Sequence, residues 1–239
     1  MPRSGVDYAT DNITVYREPC QFQCRYCWAW RIPLFSTRVT KGSYDPFEEA
    51  TRYAKMRTPR IIVVSFTNDP YPLREKMLER TRRVLGILAL NKLHKVLVLT
   101  KNPILALRDL DIFGEHQNMW LGSTVISLRQ TDWEPYAPHP LERLKALRFA
   151  HNKGVKTWLS IEPIIPGVTD AEAIIRESLS YIDWYVLGSF NYSERLAKIP
   201  KSQLKKWYKE EIPKAVKLLE DHGKPYHIKK ELLNMLRGE

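Results

Sequence analysis

The chain has 239 residues, 44% of them apolar, and a formal net charge of +11. That length and apolar share suit one globular domain with a sizeable core, and no run of roughly eighteen apolar residues marks a membrane span. The polar start Met1-Pro2-Arg3-Ser4 lacks the apolar region of a secretory signal, so a cytoplasmic location without membrane contact is expected. The positive charge suits nucleic acid or another polyanion, but basic residues spread over helices also simply solvate them.

Along the chain, short β-branched runs alternate with amphipathic stretches, the pattern of a parallel sheet covered by helices. Six strands are predicted, at residues 13–17, 60–66, 95–100, 119–126, 156–161 and 183–187. Helix starts are signposted by Asp45-Pro46-Phe47-Glu48, by Asn102-Pro103 and His139-Pro140, and by a capping box from Thr169 to Glu172. Met77, Thr81, Val84, Leu85 and Leu88 recur at helical spacing and should face the sheet. These β/α units predict an α/β fold, a partial (β/α)6 barrel of the TIM type over residues 1–199, with its site at the C-terminal ends of the strands. Residues 200–239, where Pro200, Pro213 and Pro225 interrupt helical patterns, form a short C-terminal extension of the same domain, with residues 226–230 a candidate extra strand.

Chemistry concentrates in the loop after the first strand. Cys20, Cys24 and Cys27 are the only cysteines, and they fall within eight residues. An odd count excludes complete disulfide pairing, and a Cys24–Cys27 bridge strains the turn between them. Three thiolates on one short loop suit a soft metal centre. A [4Fe–4S] cube fits with one iron left open, whereas zinc needs a fourth ligand that no nearby histidine supplies.

The C-x3-C-x2-C spacing, with Tyr26 before the last cysteine, resembles the signature of the radical S-adenosylmethionine (radical SAM) enzymes. Four further matches spread over residues 13–190 resemble the subgroup around spore photoproduct lyase and the photolyase-like DNA repair proteins. They are Tyr26-Cys27-Trp28-Ala29, Asn68-Asp69-Pro70-Tyr71, Leu99-Thr100-Lys101, and the run from Pro163 to Asp170. The resemblance implies a [4Fe–4S] cluster on the three cysteines and SAM bound across the barrel mouth. Tyr26 then lies at the cofactor, Asn68 and Asp69 near the SAM amino group, Lys101 meets its carboxylate, Thr124 and Ser127 its ribose, Gly188 lets its base approach, and Glu162 is the one acid at that rim or else pairs with a neighbouring arginine. Trp28 and Trp30 are candidates to shield the cluster. It also implies an external electron donor, and cleavage of SAM to a 5′-deoxyadenosyl radical that abstracts hydrogen from a substrate. Spore photoproduct lyase uses one more cysteine near the end of strand two, and this chain has no fourth, so that particular repair reaction is not expected. Two other readings stay open: a basic nucleic-acid-binding protein with a structural iron–sulfur or zinc centre, and a redox carrier.

Overall fold

The computed structural model describes residues 6–31, 44–65 and 67–237. Residues 1–5, the Phe66 end of the second predicted strand and the side chain of Trp30 lie outside the described residues. Seven described strands form one sheet in sequential order, every neighbouring pair parallel, curled into a half-barrel. They are β1 (Asp11–Ile13), β2 (Ile61–Val64), β3 (Lys95–Thr100), β4 (Met119–Thr124), β5 (Lys156–Ile164), β6 (Trp184–Ser189) and β7 (Tyr226–Ile228). The connecting helices are α1 (Pro46–Ala54), α2 (Glu75–Leu78), α3 (Arg80–Ala89), α4 (Pro103–Ala106), α5 (Leu110–Glu115), α6 (Pro140–Asn152), α7 (Ala171–Ser178), α8 (Ser193–Ala197), α9 (Lys201–Asp221) and α10 (Lys230–Arg237). No described helix is long and apolar enough to cross a membrane.

Four sequence expectations are corrected. The first strand ends at Ile13, because the next backbone donors are taken by side chains: Thr14 N–H donates to the Tyr44 hydroxyl at 3.1 Å and Val15 N–H to Ser65 Oγ at 3.2 Å. Met77 lies on α2, separated from α3 by Glu79 at a φ of 48°, and is exposed, while Thr81, Val84, Leu85 and Leu88 are buried as expected. The cap of α7 is Asp170, which accepts from Ala173 N–H at 2.9 Å; Thr169 instead accepts from Ile165 N–H at 3.0 Å. Pro213 sits inside α9, on its exposed face, where water can serve the carbonyl that its ring leaves unpaired.

The sheet alternates as a strand must. Ile62, Val64, Val96, Val98, Leu121, Leu159, Ile161 and Leu187 pack in the main core with the helices. The intervening residues Val63, Leu97, Trp158 and Val186 form a second apolar layer with Val6 and Tyr8. The Tyr8 ring meets Trp158 and Trp184 edge-on, at centroid distances of 5.9 and 5.5 Å, and makes an aromatic floor to the half-barrel. Continuing that same alternation toward the strand C-termini places Ser65, Lys101, Thr124, Glu162 and Lys229 on the inner side above the floor.

Gly122 on β4 makes room for Trp158, whose Nε1–H donates to the Val98 carbonyl at 3.1 Å. A Cβ on Gly122 would lie 2.3 Å from Trp158 Nε1. Gly122→Ala should therefore lower stability by about 1–3 kcal/mol or more. Gly86→Ala on α3, where a Cβ meets nothing within 4 Å, should be neutral or stabilising by about 0.5–1 kcal/mol. Urea unfolding of both variants checks the contrast.

Candidate active site

The three cysteines lie on the loop from β1 and line one cavity, together with Tyr26, Asn68, Asp69, Lys101 and Thr124. All three are free thiols, Cys24 buried and the others partly so. The loop is fastened from three directions. Cys27 N–H closes a turn onto the Cys24 carbonyl at 3.0 Å, Arg25 N–H donates to the Trp133 carbonyl at 2.9 Å, and the Asn68 amide donates to the Glu18 carbonyl. Burial pushes the Cys20 thiol up to about 12 and the Cys24 thiol up to about 11, so a metal bound there would have to displace their protons.

This donor set fits a cluster better than zinc. Three soft ligands converge on one cavity, and no histidine lines it to complete a tetrahedral site. Among the described residues no three His, Cys, Asp or Glu side chains already surround a common point.

Behind the cysteines lies a carboxylate that sequence reading missed. Glu134, on the loop after β4, is almost wholly buried. It accepts from the Tyr26 hydroxyl and pairs with Arg143 of α6 at 2.6 Å and with Lys101, at the end of β3, at 3.7 Å. Arg143 is fully buried and also donates to the carbonyls of Pro138 at 2.7 Å and Thr124 at 2.9 Å. Burial alone would raise the Glu134 carboxyl, but Arg143 and Lys101 outweigh it and hold the group below its usual range. For Lys101 burial opposes the charge, and the Cys24 thiolate, once formed, and Glu134 outweigh it, so its proton affinity is raised. Lys101 also lies 5.4 Å from the centre of the Tyr26 ring. Nothing in the spacing of Glu134 or Arg143 along the chain distinguishes them from surface residues.

The other sequence candidates divide. Asp69 is engaged by the protein itself: it accepts from Thr100 Oγ1 at 2.6 Å, Tyr71 N–H at 2.8 Å and Lys101 N–H at 2.7 Å, stapling the turn after β2 to the end of β3. Asn68 donates to Glu18 and accepts from Asp69 N–H at 2.7 Å. Thr124 lines the cysteine cavity, whereas Ser127 Oγ closes a local turn by accepting from Arg129 N–H at 3.1 Å. Glu162 lines an adjoining cavity of about 400 Å³, shared with Tyr26, Cys27, Trp28 and Lys101. Its carboxylate pairs with Lys229 at 2.5 Å, a partner from the segment after β7 that sequence reading did not foresee. Gly188 gives close approach, but to Glu162: a Cβ there would lie 2.6 Å from Glu162 Cγ.

No protein-family model matches the chain. The uncharacterized protein MJ0683 of Methanocaldococcus jannaschii is 29% identical over 181 residues, covering 72% of this chain and 67% of that protein. A cysteine-to-serine mutant of spore photoproduct lyase superposes with a TM-score of 0.68 at 13% identity, over 95% of this chain and 78% of that one. SuiB of Streptococcus suis bound to its precursor peptide SuiA gives a TM-score of 0.64 at 13% identity, and the chain spans about half (51%) of its length. SuiB has also been solved with S-adenosylmethionine, and spore photoproduct lyase with a dinucleoside spore photoproduct. Both are radical SAM enzymes, and the fold of this chain is theirs.

Removing one partner of a buried ion pair strands the other, at a cost of about 3–5 kcal/mol. Arg143→Met and Glu134→Gln should each destabilise, and the double variant should be less destabilised than the sum of the two. Because the folded-state pKa of Glu134 is depressed, its contribution is present above the ordinary carboxylate range and is lost as pH falls through the folded value. Urea titrations at descending pH should show an acid loss in the parent protein that Glu134→Gln lacks.

Proposed function

We propose that the protein is a radical SAM enzyme, with Cys20, Cys24 and Cys27 holding a [4Fe–4S] cluster and SAM occupying the adjoining cavities. The observation that carries this reading is the placement of three thiols from one loop beside the Lys101 ammonium, at the C-terminal rim of a fold shared with radical SAM enzymes. When bound and reduced, such a cluster supplies the electron that splits the sulfonium C–S bond of SAM into methionine and a 5′-deoxyadenosyl radical.

The chain's own residues then have definable tasks. Lys101 offers its ammonium to the SAM carboxylate. Glu134 is 3.7 Å away, a looser pair than Glu134 makes with Arg143, so Lys101 can turn to a ligand without leaving its counter-charge. Asp69 and Asn68 hold the turn that forms the cavity wall, Thr124 presents a hydroxyl, and Glu162 with Lys229 borders the outer cavity. Tyr26 and Trp28 line the same space and restrict water around the reacting centre.

Anaerobic reconstitution should give about four irons per chain, and the reduced protein should convert SAM to 5′-deoxyadenosine. Cys24→Ala should abolish both, whereas Lys101→Met should keep the iron and its spectrum but weaken SAM binding by tenfold or more, about the value of one charge-assisted contact. A Cys24→Ala protein with full iron content would end this reading. Iron without SAM cleavage would favour a structural centre or a redox carrier.

For the substrate we infer a nucleic acid, on the strength of the +11 charge and of the dinucleoside photoproduct bound by a protein of the same fold. Affinity for oligonucleotides should fall with salt, each neutralised phosphate contributing roughly 0.7–0.9 to the log–log slope. Fluorescence anisotropy with single- and double-stranded probes measures that slope, and absence of binding even at low salt would turn the search to peptides.

A further inference from the structure

We propose that Leu73, Met77 and Leu78 form the docking face for an acidic one-electron carrier protein. The proposal rests on the radical SAM reading above, since that chemistry consumes one electron for each SAM cleaved. The described residues offer no second redox group to store that electron, because all three cysteines belong to one site. One electron must therefore pass from a reduced carrier, which is oxidised in the exchange, to the bound cluster.

Three large apolar side chains within six residues are turned to solvent: Leu73 is 62% exposed, Met77 82% and Leu78 52%. Single exposed leucines need no explanation, but three large apolar side chains exposed within six residues point to an interaction face. The segment is firmly held. Glu75, between them, is fully buried and accepts from the Tyr16 hydroxyl, Arg108 and Thr81 N–H, so the neighbouring residues are displayed on a fixed base.

The back of this segment is the cysteine site. Leu73 N–H donates to Gln21 Oε1 at 2.9 Å, and Gln21 directly follows Cys20. Arg74 pairs with Glu18 at 2.6 Å on the near side of the same loop. The chain just before the patch contributes Asn68 and Asp69 to the thiol cavity wall. A carrier seated on Leu73 thus rests on a residue whose backbone is hydrogen-bonded to the chain neighbour of Cys20.

Charge selects the partner. Residues 73–83 carry five Lys or Arg against two Glu, one of them the buried Glu75; Lys76 is exposed, Arg74 pairs with Glu18, and Arg80 and Arg83 lie over the Phe47 ring. Such a field steers an acidic partner, and exposed methionine accommodates varied apolar surfaces.

The test compares two reductants on the reconstituted protein, following bleaching of the cluster absorbance by stopped flow. With reduced flavodoxin, an acidic flavoprotein, as the probe, the Met77→Glu/Leu78→Glu variant should react about tenfold more slowly than the parent, and the parent rate should fall with ionic strength. Reduction by dithionite should be unchanged, as should both rates in Leu90→Glu, which alters an exposed leucine at the far end of α3. Equal flavodoxin rates in parent and variant would overturn the proposal, as would equal slowing with both reductants. Loss of a parent dimer in the variant, seen by sedimentation, would assign the face to a second copy and also overturn it. A parent protein that takes up iron but yields no 5′-deoxyadenosine with dithionite would instead defeat the enzymatic reading itself.

Discussion

The site is organised around one buried carboxylate. Glu134 meets a phenol, a guanidinium and an ammonium that arrive from three separate parts of the chain, the cysteine loop, α6 and the end of β3. Around Glu134 stand two cations, and a second buried carboxyl, Asp69, lies near Lys101 on the same cavity wall, so Lys101 sits between two acidic groups. Taking these charges out of water is costly, so the arrangement is better understood as fixing geometry than as adding stability. It ties the cysteine loop to the barrel through Tyr26 and gives Lys101 a counter-charge that does not move.

A second constraint comes from the sheet. Strand alternation sends every other residue inward, so one parity builds the aromatic floor at one end and the polar wall at the other. Val63 and Ser65, Leu97 and Lys101, and Trp158 and Glu162 each follow one strand direction on one face, but differ in height. On the inner face the apolar floor and the polar site are thereby separated along the strand, while the main core packs on the opposite face.

Much of this was legible from local pattern. Strands β2 to β6 announced themselves as apolar runs, Asp45, Asn102 and His139 cap helices as their neighbours implied, and the three closely spaced cysteines line one cavity. What escaped was long-range. Glu134 and Arg143 are unremarkable in sequence, and their importance arises only when folding excludes water from both. Asp69, a candidate site residue, lines the thiol cavity, and its carboxylate also staples the turn after β2 to the end of β3. Gly188 signalled close approach correctly, but the approaching group is the Glu162 side chain. Met77 shows the limit of periodicity, since one residue with a left-handed backbone, Glu79, takes it out of the helix its spacing suggested.

The floor built by Tyr8, Trp158 and Trp184 makes the half-barrel blind at one end. Among the described residues, the inner side chains beyond that floor, Lys101, Thr124 and Glu162, therefore face away from it, toward the strand C-termini where the cysteine loop lies.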